Sequence, residues 1–153
     1  MGKLRLFGEL SEAGGVAQEG GSGGGHQIAR VVRTAGDYQT TSTSFVDIDP
    51  SNLSISLTTG ASWVQLLLAG SIYVSSYQYG LVDFTIDGER QGQAKGVQQI
   101  QPSYTQDIQI AWLTQVSAGT HVFRPQWRVG GGTATLYASS AQSPLFFAVI
   151  EMK

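Results

Sequence analysis

From Asp107 to Val129 the chain alternates side-chain types with a period of two, and that alternation restricts it to β structure. On a first arm Ile108, Ile110 and Trp112 alternate with Gln109, Ala111 and Leu113; on a second, Phe123, Trp127 and Val129 oppose Arg124, Gln126 and Arg128. Successive residues of a strand point to opposite faces, so each arm has one face suited to burial. Between them Ser117-Ala-Gly-Thr120 reads as a turn, with Gly119 supplying backbone freedom, and the whole stretch predicts one long hairpin. Pro125 removes a ladder donor, which places the second arm at a sheet edge or at a bulge.

The same signal recurs at short spacing from Asp37 onward, with no segment of helical period. Thr40–Ile48 and Leu53–Thr58 flank Asp49-Pro-Ser-Asn52, a turn with proline at its second position. Trp63–Ala69 continues through Ser71–Val74 as a nearly unbroken apolar run, the pattern of a central strand covered on both faces. Val82, Phe84 and Ile86 alternate with Asp83 and Thr85 before Asp87-Gly88, a strong hairpin signal, and residues 89 to 101 follow as a polar return. Thr133–Ala138 and Pro144–Met152 complete eight or nine antiparallel strands. The expected fold class is all-β, an antiparallel jelly-roll sandwich of two sheets of about four strands each. Its expected core includes Leu66, Leu68, Phe84, Ile86, Ile110, Trp112, Phe123 and Trp127.

Residues 1–37 differ in kind. They hold ten of the twenty glycines and few large apolar side chains, so they cannot bury a core of their own. Two short strands are expected here, Lys3–Phe7 and Ile28–Arg33, with the run Gly20–Gly25 as a tether between them. The domain reading is therefore a glycine-rich arm over 1–37 and a jelly-roll body over 38–153.

Composition narrows the function classes. A net charge of −2 with 13% charged residues gives no footprint for a polyanion, so direct nucleic-acid binding is not expected. No apolar run reaches the roughly 18 residues of a membrane span, and Leu6 stands where a myristoylation signal wants Ser or Thr, so no membrane partner is expected and synthesis is expected in the cytosol. With no cysteine there is no disulfide or thiolate chemistry, and stability must come from packing or assembly.

Candidate chemical groups are sparse. Asp47 and Asp49 share one side of a strand and suggest a calcium pair, but without further acids nearby they read as a solvated face entering a turn. His26 and His121 have no partner at metal spacing, and no metal or cofactor is expected. The glycine runs are not followed by Lys-Ser/Thr or a helix, so neither is a phosphate loop. Asn52-Leu-Ser54 matches a glycosylation acceptor by chance. Asp83 and Asp87 are the one local acid pair that a glycosidase would need, yet they alternate on a strand face that is ordinarily solvent-facing. Arg124 and Arg128 read as a solvated face or as pairs across a subunit contact. No catalytic residues are expected.

Trp112–Leu136, together with the terminal Leu145-Phe-Phe-Ala-Val-Ile-Glu151, resembles phage-encoded jelly-roll domains similar to the trimeric C1q and tumour-necrosis-factor fold. With the short length and the glycine-rich arm, the likeness over roughly residues 40–153 is to the capsid decoration, or head-cementing, proteins of long-tailed phages of thermophilic bacteria. It implies a non-enzymatic virion protein on the capsid exterior, a homotrimer whose partner is the major capsid protein. Absence of cysteine and a single asparagine suit the thermostability this implies; abundant glutamine does not. In the C-terminal strand Leu145, Phe147 and Val149 suit the core, while Phe146, Ala148 and Ile150 on the opposite face suit a subunit interface. Leu4, Leu6 and Phe7 suit capsid or subunit contact through the arm. The alternative is a receptor- or carbohydrate-binding tip of a phage fibre on the same trimeric fold, with Tyr73, Tyr77, Tyr79 and Tyr104 as sugar platforms.

Overall fold

Two antiparallel sheets face each other across one core in the computed structural model, which describes residues 17–19, 26–75, 78–101, 103–139 and 144–153. In chain order the strands are β1 (Ala17–Glu19), β2 (Gln27–Arg33), β3 (Tyr38–Thr40), β4 (Val46–Asp47), β5 (Ile55–Thr59), β6 (Ser62–Val74) and β7 (Gly80–Ile86). They continue with β8 (Glu89–Arg90), β9 (Gln98–Ile100), β10 (Thr105–Val116), β11 (Gly119–Val129), β12 (Ala134–Tyr137) and β13 (Leu145–Met152). No helix occurs among the described residues. The fold is the expected all-β sandwich of jelly-roll type, though with more and shorter strands than the eight or nine read from the sequence.

β6 is the axis of the larger sheet. β10 runs along one of its edges for its full length, while β13 and then β12 line the other; β2 and β1 extend the sheet beyond β13, and β3 pairs with β12. In the smaller sheet β11 is central, with β7 on one side and β5 and β4 end to end on the other; β8 and β9 close the far edge of β7. Four long strands, β2–β13–β6–β10, thus cover β5–β11–β7–β9, and the chain passes repeatedly from one sheet to the other.

One such passage corrects the expected long hairpin. β10 pairs with β6 and β11 with β4, β5 and β7, so Ser117-Ala118 is an arch between sheets rather than a hairpin turn. Gly119 takes φ 149° where the arch enters β11. Alternation fixes which face of each arm is buried, and a hairpin and an arch bury the same faces; the partner strands decide between them. Pro125 is likewise inside a sheet and not at its edge. Its carbonyl accepts the Ile48 N–H at 3.1 Å, so its ring nitrogen faces the break between β4 and β5, where no ladder donor is missed. Thr40–Ile48 is not one strand either: β3 belongs to the larger sheet and β4 to the smaller.

Residues 27–33, which the sequence grouped with the arm, form a full strand of the sandwich, with Ala29 and Val31 buried against the core. Leu4, Leu6, Phe7 and the Gly20–Gly25 run lie outside the described residues.

The core joins both sheets. Phe84 of β7 stacks on Phe147 of β13 with ring centroids 6.2 Å apart and planes 16° from parallel, a contact contributing on the order of 1 kcal/mol beyond area burial. Leu66, Leu68, Phe84, Ile86, Ile110, Phe123 and Trp127 are buried as expected, while Trp112 is half-buried and packs on the margin of the core.

Candidate functional site: the outer face of the larger sheet

Because residues directly opposite each other in an antiparallel ladder share a face, register places side chains in rows. Outside the larger sheet, four such rows cross β2, β13, β6 and β10: Val32–Phe146–Ala69–Gln109, Arg30–Ala148–Leu67–Ala111, Ile28–Ile150–Gln65–Leu113, and Met152–Trp63–Gln115. Eleven of these fifteen side chains are apolar, three are glutamines and one is charged. Among them Ile28 is 46% exposed, Val32 42%, Trp63 46% and Leu113 52%. Apolar faces this continuous are uncommon on a monomer and mark places of contact.

Phe146, Ala148 and Ile150 lie together in the middle of this face. Phe146 and Ile150 are half-buried, whereas Ala148 is 1% exposed, a methyl flanked in its row by the longer Arg30 and Leu67. The opposite side of the same strand, Leu145, Phe147 and Val149, is fully buried in the core. Trp63, Leu113, Ile28 and Val32 were not singled out from the sequence. The apolar run of β6 predicts cover on both faces, but within the chain Val64, Leu66, Leu68, Ile72 and Val74 of its inner side are closed off while Trp63, Gln65, Leu67 and Ala69 of its outer side are not. The available signal was that β2 and β13 also carry apolar residues on both faces.

Charge is sparse on these rows. Arg30 lies on β2, and Asp107 lies on the same face of β10 at the opposite side of the sheet, where it accepts the Ser71 hydroxyl. At the β5–β6 turn Glu151, fully buried, accepts the Gly60 N–H at 2.8 Å and the Ser62 hydroxyl at 2.7 Å, with Lys153 Nζ at 3.5 Å. Burial pushes this carboxyl up, but the Ser62, Gly60 and Lys153 interactions outweigh it and hold it below the usual range.

The other groups noted in the sequence are engaged within the fold. Asp49 caps its own turn, accepting the Ser51 and Asn52 N–H groups at 2.9 Å, and Asp47 takes the Gln126 amide at 2.6 Å and Arg124 at 3.3 Å. They have separate partners and do not form a joint cation cradle. Arg128 donates to the Thr43 carbonyl at 3.2 Å. Asp83, expected on a solvent-facing strand side, is instead fully buried: the return through β8 and β9 folds over it. Its oxygens accept the Phe84 and Gly92 N–H groups and Arg90, so it is a structural anchor, and Asp87 is turned away to His121. His26 is exposed. Tyr73 is half-buried on β6, Tyr79 is 38% exposed and Tyr104 73%; Tyr77 lies outside the described residues. No group of three or more His, Cys, Asp or Glu suited to hold a metal occurs among the described residues.

No protein-family model matches this chain, and no curated protein matches it at a significant level.

Proposed function

We propose that this chain is a structural, non-enzymatic protein that assembles as a homotrimer through the outer face of its larger sheet and, as a trimer, coats the exterior of a phage head, where it binds the major capsid protein and stabilises the shell. The observation that carries the assembly is the set of four apolar rows with Phe146, Ala148 and Ile150 at their centre. Fully burying a side chain of this size contributes about 1.5–3 kcal/mol, so covering the exposed halves of Ile28, Val32, Trp63 and Leu113 contributes roughly 3–6 kcal/mol before the costs of association. A second copy fits this face better than a charged partner does. Its glutamines both donate and accept, so they need no charged partner. Arg30 on β2 and Asp107 on β10 carry opposite charges and favour a head-to-tail contact, in which the β2 side of one subunit meets the β10 side of the next; repeated contacts of that kind close into a ring. Attachment to a head rests on the resemblance and on the arm, whose Leu4, Leu6 and Phe7 serve as the hook. Three hooks on one trimer raise each other's effective concentration once the first has engaged.

The test is binding of the purified full chain to undecorated phage heads, followed by thermal disruption of the heads. Decoration predicts saturable binding and a higher disruption temperature; a chain lacking residues 1–16, which keeps β1, should remain folded and lose that binding. Heads that neither bind the full chain nor gain stability would refute the capsid role. The exposure of Tyr104 and Tyr79 supports a second reading, a carbohydrate-binding fibre tip. Selective binding on a glycan array without head binding would favour it.

A further inference from the structure

Where β10 crosses to β11, both nitrogens of one imidazole face oxygen. His121 Nδ1 lies 2.7 Å from Asp87 Oδ2, and Nε2 lies 3.0 Å from the Ser117 carbonyl oxygen. A carboxylate and a carbonyl only accept, so each contact is a hydrogen bond only when that ring nitrogen carries hydrogen. Neutral imidazole has one such hydrogen and imidazolium has two; the arrangement is complete in the protonated form alone.

Both acceptors are held in place without the ring. Asp87 and Gly88 form the two-residue β7–β8 turn with φ of 54° and 85°, the left-handed pair that a type I′ hairpin requires. Asp87 N–H donates to the Val122 carbonyl and Asp87 Oδ1 accepts the Val122 N–H, both at 2.8 Å, which pins the turn to β11. Ser117 belongs to the arch between the sheets, where its carbonyl also accepts the Thr59 hydroxyl at 3.3 Å. The ring itself sits edge-on to Phe123, with centroids 6.2 Å apart, and its side chain is 12% exposed.

The charged groups around the ring are acids. Asp87 on the turn and Glu89 on β8 line the same recess of about 390 Å³, with Gln91 following β8, Gln115 and Val116 from β10 and Ile86 from β7. From β5 the residue opposite His121 is Leu57, which carries no charge. The two charged groups that line this recess with the ring, Asp87 and Glu89, both favour a cation there.

We propose that His121 is a proton-operated clasp: protonated, it ties the β7–β8 turn to the arch that joins the two sheets, and loss of its proton releases the arch from that turn. The inter-sheet joint is then tighter on the acid side of neutrality and looser on the alkaline side. In keeping with this, the Asp87 bond and then the Ser117 carbonyl raise the imidazole above its ordinary value of 6.5, against burial. The same His121 bond, with the Val122 N–H, holds Asp87 below its ordinary 3.8. The signs follow by linkage. The histidine contribution is fully present below 6.5 and is lost as pH rises through the raised folded value. The aspartate contribution is present above 3.8 and is lost as pH falls through the lowered one. Both act together between those two ordinary values.

The test uses the full chain carrying His26→Gln, so that His121 gives the single imidazole signal, followed by NMR from pH 5 to 9 with thermal melts across the same range. The clasp predicts both ring nitrogens protonated at pH 6, a midpoint above 6.5, and a melting temperature that falls from pH 6 to 8.5. His121→Gln should abolish that fall. Asp87→Asn should lower the imidazole midpoint, which settles the matter even if His121→Gln fails to fold. A ring with one bare nitrogen at pH 6, a midpoint at or below 6.5, or an unchanged pH profile in His121→Gln would each overturn the proposal.

Discussion

Replacing Asp83 by Asn removes one charge at the most enclosed polar site of the smaller sheet and nothing else. Asp83 is 0% exposed and uses both oxygens: Oδ1 accepts the Phe84 N–H at 2.7 Å and the Gly92 N–H at 2.8 Å, and Oδ2 accepts Arg90 Nε at 2.8 Å with Nη2 at 2.7 Å. An amide can keep the two backbone bonds only by aiming its NH2 at a guanidinium that also donates, so Arg90 loses its partner. Breaking a buried pair in this way costs about 3–5 kcal/mol. Arg90 is 35% exposed, packs over the Phe45 ring at 3.8 Å and also donates to the Gln93 carbonyl, so water and these contacts retain part of its stabilisation. The expected cost is therefore about 2–4 kcal/mol, a large share of the roughly 5–15 kcal/mol that holds a domain folded. The assay is denaturant unfolding of wild type, Asp83→Asn, Arg90→Gln and the double variant at one protein concentration. A coupling energy above about 1 kcal/mol is expected, because the two side chains act as one unit. Asp83→Asn within about 0.5 kcal/mol of wild type would refute the argument that this carboxylate anchors the return over β7.

Trp127→Ala should cost about 3–5 kcal/mol in the same assay, since the ring is 2% exposed at the centre of the core. Glu151→Gln should cost about 1–3 kcal/mol near neutral pH by weakening the bonds from Gly60 and Ser62. Because the folded value of Glu151 is lowered, its contribution is present above the ordinary 4.5 and is lost as pH falls through the folded value, so melts of wild type and variant should converge in acid. Leu113→Glu on the outer face should leave the melting of the isolated fold nearly unchanged, because that side chain is 52% exposed, yet should dissociate the assembly in sedimentation velocity. A stable oligomer of Leu113→Glu would exclude β10 from the contact.

Local chemistry was legible wherever a residue's neighbours in sequence decide its conformation. Asp87-Gly88 announced its hairpin, and the two-sided apolar pattern of β13 announced one face for the core and one left over. Partnership between strands was less legible. The arms of 107–129 have their buried faces where alternation puts them, but they pair with different sheets, which is a property of β6 and β7 as much as of the arms. Asp83 misled for a related reason: its side of β7 faces away from the core, and only the return through Glu89–Ile100 makes it an interior. The outer face needed the register of four strands. Phe146, Ala148 and Ile150 could be read from one strand, whereas Ile28 and Leu113 share a row only because β2, β13, β6 and β10 lie side by side.

Both the outer face and the proposed role depend on assembly, which sedimentation equilibrium of the full chain at micromolar concentration reads as a mass. A homotrimer gives a single species of three times the 16.3 kDa chain mass, which is the expected result. A mass of 16.3 kDa across that concentration range would contradict it.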